Sequence, residues 1–517
     1  MKTLHTNGVY LPVYSPIGLS IKYKGREIEL TPTGEQMAIQ FVKKFDTPYI
    51  QDEVFVKNFL SDFARELGIT EEVGLEDLDF TPVKNYLDEV KRKTEAMSKE
   101  EKKLARELKK KLRETLKEKY GYAIVDGEKV PVQNWTVEPP SIFISKGKNP
   151  LRGRWKREIK KEEITLNLSP DAPMREQLAK EGFKIEWHPD EYWIAKWPEV
   201  FDPTRYKYVW LSPSSSLRQS REKKKYDLAQ EVEKRIDKLR EEIIKDLYSE
   251  DETTRKLATA VYLIMNTGIR VGDEKIAGER GTVGCTTLKP TNVKLLPNNA
   301  VHLDFTGKDF VHWERLVVVE PQAYRNLKEL IDNSNGDYIF KGLNSAKVAK
   351  YLHKKMKGLT AKVFRTYLAG KTWREESNNI LNDVSSDLPE FQKKFLLKLV
   401  NLRVAKVLNH KKALPKNFEE RVRKKEEKLS KLREEYMNLT PDTEKNRKKL
   451  LKLEEKIQKL SCELILLKET SEWNLNTSLT SYIDPRRVIE SLKKVQLPPE
   501  KFYSKSLLEK FSWAMEG

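Results

Sequence analysis

Cysteine is almost missing from this sequence: Cys285 and Cys462 are the only two in 517 residues. They lie far apart and form no CxxC pair, so neither a disulfide framework nor a zinc ribbon is indicated, and reduced thiols in an intracellular compartment are expected. Histidine is scarce too, with six residues scattered along the chain. The spacings HExxH, GxxxxGK[ST] and that of an EF-hand are absent, so no metal, nucleotide or other cofactor is expected. No apolar run reaches the roughly 18 residues that a membrane span needs. The first residues, MKTLHTNGVYLPVYSP, lack the apolar segment of a signal peptide. A soluble protein with no membrane partner is the expectation.

What the chain has in excess is positive charge. It carries 98 Lys and Arg against 79 Asp and Glu, a net charge of +19 and a pI near 9.4. Such a balance points to a polyanionic partner, most often nucleic acid. The length calls for two to four domains, each with its own core.

Residues 1 to about 100 mix strand-like text (Leu19 to Tyr23) with helical periodicity at Thr33 to Lys44 and Asp52 to Leu67, an α+β unit. A charged helix follows from a Ser98 N-cap, with Glu101 three residues on, to Gly121. The stretch EPPSIFISKGKNPLRGRWKR then places Lys146, Lys148, Arg152, Arg154, Lys156 and Arg157 in a Gly-punctuated loop around Trp155, a composition suited to a phosphate backbone or minor groove. Short strands at Ile164 to Leu168 and Tyr192 to Ala195 close a mixed α/β lobe near Leu211. The serine run from Ser212 to Ser216 reads as a hinge, followed by one long helix with apolar residues from Leu228 to Leu247.

A helix from Thr254 to Thr267 leads into Gly268-Ile-Arg-Val-Gly272, which presents Arg270 between two glycines. Strand-like segments between Asn292 and Val319 put Lys308 at a turn beside Asp309. Helices are expected at Ser345 to Lys357, around Arg365, and at Leu388 to Val407. Arg365 sits in apolar text, where a guanidinium must be paired or must point into a site. His410 closes its helix beside lysines, where the helix dipole favours the imidazolium. From Phe418 to Thr470 the leucine pattern reads as two antiparallel coiled-coil arms around Leu439-Thr-Pro-Asp-Thr443, each projecting roughly 30 to 40 Å. Beyond them TSLTSYIDPRR sets Tyr482 between small hydroxyl residues and a basic turn.

Arg270, Lys308, Arg365, His410 and Tyr482 together are the groups needed to open a phosphodiester without metal or water. Tyr482 would attack phosphorus, and with an ordinary pKa of about 10 it needs cationic neighbours or a base. The two arginines can hold the non-bridging oxygens, and His410 can donate to one of them. Lys308 can protonate the departing 5′ oxygen.

GTVGCTTLKP, FTGKD, LTAKVFRTY, LNHKKALPK and SYIDPRR, in this order, resemble the core of the eukaryotic type IB DNA topoisomerases. EPPSIF, IRVGDEK and the closing KFYSKSLLEKFSWAM extend the likeness over nearly the whole chain. The resemblance implies a multidomain α+β to mainly α fold, with a cap lobe and a catalytic lobe of the tyrosine recombinase/topoisomerase IB type forming a DNA clamp, and an antiparallel coiled-coil linker. The implied boundaries are 1–216 for the cap (about 1–100 and 101–216), 217–410 for the catalytic lobe, 411–470 for the linker and 471–517 for the C-terminal domain.

The same resemblance makes Tyr482 the nucleophile of a 3′-phosphotyrosyl link, with the other four as its partners, and adds Asp309 and Ser481 to the DNA contacts. Two departures stand out: Ser481 replaces an asparagine of the nuclear enzymes, and Lys146 replaces an arginine of their basic loop. The long basic leader of nuclear members is absent, which suits a compact archaeal relative or a trimmed chain. The expected activity is ATP-independent relaxation of supercoils of both signs by a monomer on duplex DNA, at the chromosome in nucleoid, cytoplasm or nucleus. A tyrosine site-specific recombinase shares the chemistry and is the alternative enzyme; a DNA-architectural protein is the non-enzymatic one. Phosphate-driven affinity that falls steeply with salt is expected.

Overall fold

The computed structural model describes residues 1–145, 149–273, 282–382, 384–385, 387–415 and 417–515. Lys146 and Lys148 lie outside the described residues, and so does the side chain of Asp309. The chain divides into two compact units, residues 1–218 and, among the described residues, 219–273 with 282–515.

The first unit has two cores. One gathers Phe41, Phe55, Phe59, Phe63 and Phe80 between the helices Pro32–Val42 and Glu53–Glu66, with the Phe41 and Phe59 rings stacked at 3.9 Å. Both helices start at side-chain caps, Thr31 and Asp52, which satisfy N–H groups that would otherwise lack partners. The other core lies on a seven-stranded sheet in the order Leu4–Thr6, Tyr122–Val125, Glu128–Gln133, Asp202–Leu211, Trp193–Glu199, Thr165–Asn167, Lys184–Glu186. All its pairs are antiparallel except the last. The expected charged helix is Lys99–Tyr120, and its capping box is present: Glu101 N–H donates to Ser98 Oγ at 3.1 Å and Ser98 N–H to Glu101 Oε2 at 2.7 Å.

The basic loop is not a row of free cations. Its hairpin, Ser141–Ile142 paired with Trp155–Lys156, meets acidic side chains that sequence distance had hidden. Arg152 Nε donates to Asp52 Oδ2 at 2.6 Å, and Arg154 pairs with Asp62 at 2.9 Å. Lys156 lies 3.2 Å from Glu138, and Arg157 forks onto both oxygens of Glu163 at 2.6 and 2.7 Å. All four side chains therefore carry ion pairs within this unit.

In the second unit the long helix Ser216–Asp246, which begins at the end of the first, packs beside Glu252–Thr267. The latter is buried from Ala258 to Met265 on every face, as the centre of a core should be. Against it lie the antiparallel sheet Val293–Leu296, Ala300–Gly307, Val311–Val318 and the helices Pro321–Asp332, Ser345–Lys355 and Ala361–Leu381. After Lys308 the strand-like text forms one continuous strand, Val311–Val318. A second core joins Trp373, Leu397, Val400 and Val404 to Ile483, Val488, Leu492 and Phe511, so the C-terminal residues complete this unit.

Between these halves of the core runs an antiparallel helical hairpin, Phe418–Met437 and Glu444–Glu469. Cross-links Lys425–Glu463, Lys449–Glu435 and Lys468–Glu426 fix its direction. Of the expected heptad leucines only Leu429, Leu453 and Leu460 are fully buried, because two helices cannot cover a seam on all sides. Its base is zipped: Lys412 N–H donates to Glu472 O at 2.8 Å and Asn474 N–H to His410 O at 2.7 Å.

Candidate active site

Tyr482 follows the short helix Leu475–Ser481, which starts at the zipped base and is capped by Asn474. Two lysines hold its other end. Lys225 Nζ donates to Ser481 O at 3.0 Å and Lys510 Nζ to Thr480 O at 2.5 Å, with Glu222 between them. Asp484 then caps the next helix, Pro485–Lys494, and is held by Gln230 and Arg486. The tyrosine is therefore fixed from both sides and is 5% exposed.

Arg270 reaches it from the end of Glu252–Thr267. That helix stops at Gly268, whose φ of +66° is the left-handed turn glycine adopts without strain. Gly272, at φ +84°, lies so close to Gly284 that a Cβ on it would be 2.8 Å from the Gly284 Cα. The backbone between is pinned by Cys285 N–H on Arg270 O at 2.8 Å and Thr286 N–H on Val271 O at 2.7 Å. Arg270 Nη1 then donates to Tyr482 Oη at 3.1 Å.

Arg365 is buried in Ala361–Leu381, and its guanidinium lies 5.0 Å from the centre of the Tyr482 ring. It donates to Gly268 O, to Leu408 O at 3.0 Å and to His410 Nε2 at 3.3 Å, while its Nε, also buried, has no partner among the described residues. Helix C-terminal carbonyls carry partial negative charge, so a cation without a carboxylate is stabilised here. His410 follows Asn409, whose φ of +53° ends the Glu390–Val407 helix, and its ring is 5.0 Å from that of Tyr482. Its Nδ1 is 2.7 Å from Ser478 Oγ. Ser478 is four residues before Tyr482 on the same short helix. That spacing was readable in the sequence; its partner was not.

Four of the five expected residues are thus together. Lys308 is not bonded to them: it is exposed in the single helical turn Lys308–Phe310 and has no hydrogen bond or ion pair among the described residues. Ser481 contributes its carbonyl to Lys225.

The electrostatics follow from burial and two guanidinium groups. Burial alone pushes the Tyr482 phenol up, but the charges and hydrogen bonds of Arg365 and Arg270 outweigh it and bring its pKa down to about 8. Burial, reinforced by the same arginines, takes His410 down to about 3. The expected imidazolium is therefore corrected: the helix end is enclosed and faces cations. Burial also lowers Arg365, to about 10, which leaves it charged at neutral pH. The arrangement can stabilise a phenolate and, next to it, a second negative group.

Residues 1–211 match the family described as eukaryotic DNA topoisomerase I, DNA binding fragment; residues 214–443 match its catalytic core, and 454–517 the C-terminal topoisomerase domain. The DNA topoisomerase 1 of Homo sapiens is 32% identical over 546 residues, which cover 99% of this chain and 70% of that one. The chain belongs to the eukaryotic DNA topoisomerase I family. DNA topoisomerase 1 beta of Arabidopsis thaliana is 34% identical over all of this chain, which spans 58% of that relative's length. The human protein named DNA topoisomerase I, mitochondrial, is 31% identical over 99% of this chain and 89% of its own. None of these topoisomerase I relatives or matched families is a recombinase. Among the described residues, no helix is long and apolar enough to cross a membrane.

Proposed function

We propose that this member of the topoisomerase I family is a type IB DNA topoisomerase that relaxes positive and negative supercoils through a transient 3′-phosphotyrosyl nick. The observation that carries this is the Tyr482 hydroxyl, 3.1 Å from Arg270 Nη1 and under the guanidinium of Arg365. A tyrosine at pKa about 8 is a nucleophile near neutrality.

In the proposed reaction Tyr482 Oη loses its proton to solvent and bonds to phosphorus as the bond to the 5′ oxygen breaks. Arg270 and the unpartnered Nε of Arg365 take the charge on the non-bridging oxygens. Lys308 gives its proton to the leaving 5′ oxygen. Religation is the reverse, and the phosphotyrosyl bond keeps the energy of the broken phosphodiester, so no ATP is consumed. His410 enters as an acceptor toward Arg365 and becomes a donor to phosphate only when Nε2 gains a proton. In this reading residues 1–216 are a cap lobe that closes with 217–410 round duplex DNA. Residues 411–470 are a linker that restrains rotation, and 471–517 carry the nucleophile. The protein works as a monomer at the chromosome.

Supercoiled plasmids of either sign, incubated with the chain in EDTA without ATP, test the activity. Relaxation of both is the expected result, and Lys308→Ala should slow it by about 10² to 10⁴. Strict dependence on ATP, or relaxation of one sign alone, would count against it.

A further inference from the structure

Arg365 is one of two arginines that grip the ends of Glu252–Thr267 and Glu390–Val407. Arg315, half-buried on the strand Val311–Val318, donates from Nη1 to Thr267 O at 2.6 Å and from Nη2 to Val407 O at 2.8 Å. Arg365 takes the next carbonyl of each segment, Gly268 O from Nη1 and Leu408 O from Nη2. Two guanidinium groups from different elements therefore bridge the same two helix ends, one residue apart. Thr267 lies three residues before Arg270, and Val407 three residues before His410.

Both forks suit arginine. Converging helix C-termini leave carbonyls without intrahelical donors and with partial negative charge. A planar guanidinium can satisfy one carbonyl on each side at a fixed separation, which the single point charge of lysine cannot. Burial depresses Arg315, while the main influences on Arg365, after its own burial, are Tyr482, Arg270 and Arg315. Of the two, only Arg365 lies against Tyr482.

We infer that Arg315 is a positioning residue for the cleavage reaction: by tying Thr267 to Val407 it sets the spacing at which Arg270 and His410 flank Tyr482. This rests on the topoisomerase reading above. Without Arg315 one of the two guanidinium bridges between the helix ends is lost, and the spacing of Arg270 and His410 about the phenol is set less tightly. Since the phenol owes its depressed pKa to Arg365 and Arg270, the rate should then need a higher pH. Loss of folded protein would lower the active fraction at every pH and leave the inflection in place.

The test uses the full chain, wild type, Arg315→Lys and Arg315→Gln, with supercoiled plasmid as probe under enzyme excess, from about pH 6 to about pH 9. Plasmid affinity is measured alongside by filter binding. Both variants should relax plasmid at least about tenfold more slowly at neutral pH, since small displacements of catalytic groups cost that much or more. Affinity should stay within about twofold, and the inflection of the rate profile should move up by about one unit. If Arg315→Gln does not fold, Arg315→Lys decides alone. A lysine variant that keeps the wild-type rate and inflection overturns the inference, as does uniform slowing with an unmoved inflection. Those outcomes leave the topoisomerase reading standing; a wild-type chain that relaxes nothing removes both.

Discussion

Arg365 donates a hydrogen bond to His410: its Nη2 lies 3.3 Å from Nε2, and a guanidinium has no lone pair to accept one in return. The network therefore assigns the imidazole proton to Nδ1, where it is donated to Ser478 Oγ at 2.7 Å. His410 is thus a neutral ring held between an arginine and the helix of the nucleophile. The residue expected to be a cation is an acceptor for one.

This makes His410 a source of acid sensitivity. Its pKa is about 3 in the fold against 6.5 for the free group, so between these values the unfolded chain binds the proton and the folded chain does not. Stability from this group is complete above about pH 6.5 and is lost as pH falls through the folded value. Urea midpoints at neutral pH and near pH 5 should differ for the wild type, and differ less for His410→Gln. An equal acid shift in both would show that His410 is protonated in the fold.

For Tyr482 the sign is opposite in consequence. Its pKa of about 8 lies below the ordinary 10, so the nucleophilic form grows tenfold per pH unit up to about 8 and then levels. Single-turnover adduct formation should follow that curve. Arg270→Gln removes one of the two supporting charges; its inflection should move toward 10 and its rate at neutral pH should fall by about 10- to 100-fold. A mutant profile that is merely lower, with the same inflection, would assign the depressed pKa to another group.

The helical hairpin should be separable from the chemistry. Its ion pairs are exposed, so solvent screening leaves each of them little stabilising effect. Its base is closed by the bonds between His410–Lys412 and Glu472–Asn474. Replacing residues 418–469 by a short Gly/Ser loop should leave covalent DNA cleavage within about tenfold of wild type, because lengthening or shortening a closed loop costs little. Complete loss of cleavage would mean that the hairpin itself shapes the site, through contacts such as Gln392 with Gln458.

Much of this was readable in the sequence where local chemistry determines the outcome. The Ser98 capping box, the glycines flanking Arg270 and the leucine-rich arms each carry their cause within a few residues. Tyr482, Arg365 and His410 could be assembled because their motifs resemble a family in order. The acidic partners of the basic loop were not readable, because Asp52 and Asp62, which pair with Arg152 and Arg154, stand about a hundred residues upstream in no common motif; charge on a loop says nothing of what it faces. Arg315 and Lys225 were invisible for a related reason. Their partners are backbone carbonyls, and a carbonyl has no letter in the sequence. The imidazolium expected at His410 rested on the helix dipole alone, and the burial that outweighs it is not written in the neighbouring residues.

In the proposed reaction the Tyr482 oxygen becomes bonded to DNA, and that bond can be trapped. Purified chain and its Tyr482→Phe variant, each mixed with plasmid and stopped with denaturant, can be compared for protein covalently attached to a nicked strand. The wild type should yield an adduct at a 3′ end, with the peptide carrying it containing Tyr482. The variant should yield none while binding plasmid within about twofold of wild type, since one hydroxyl among many phosphate contacts contributes little to affinity. An adduct formed by the phenylalanine variant, or none formed by the wild type, would contradict the account.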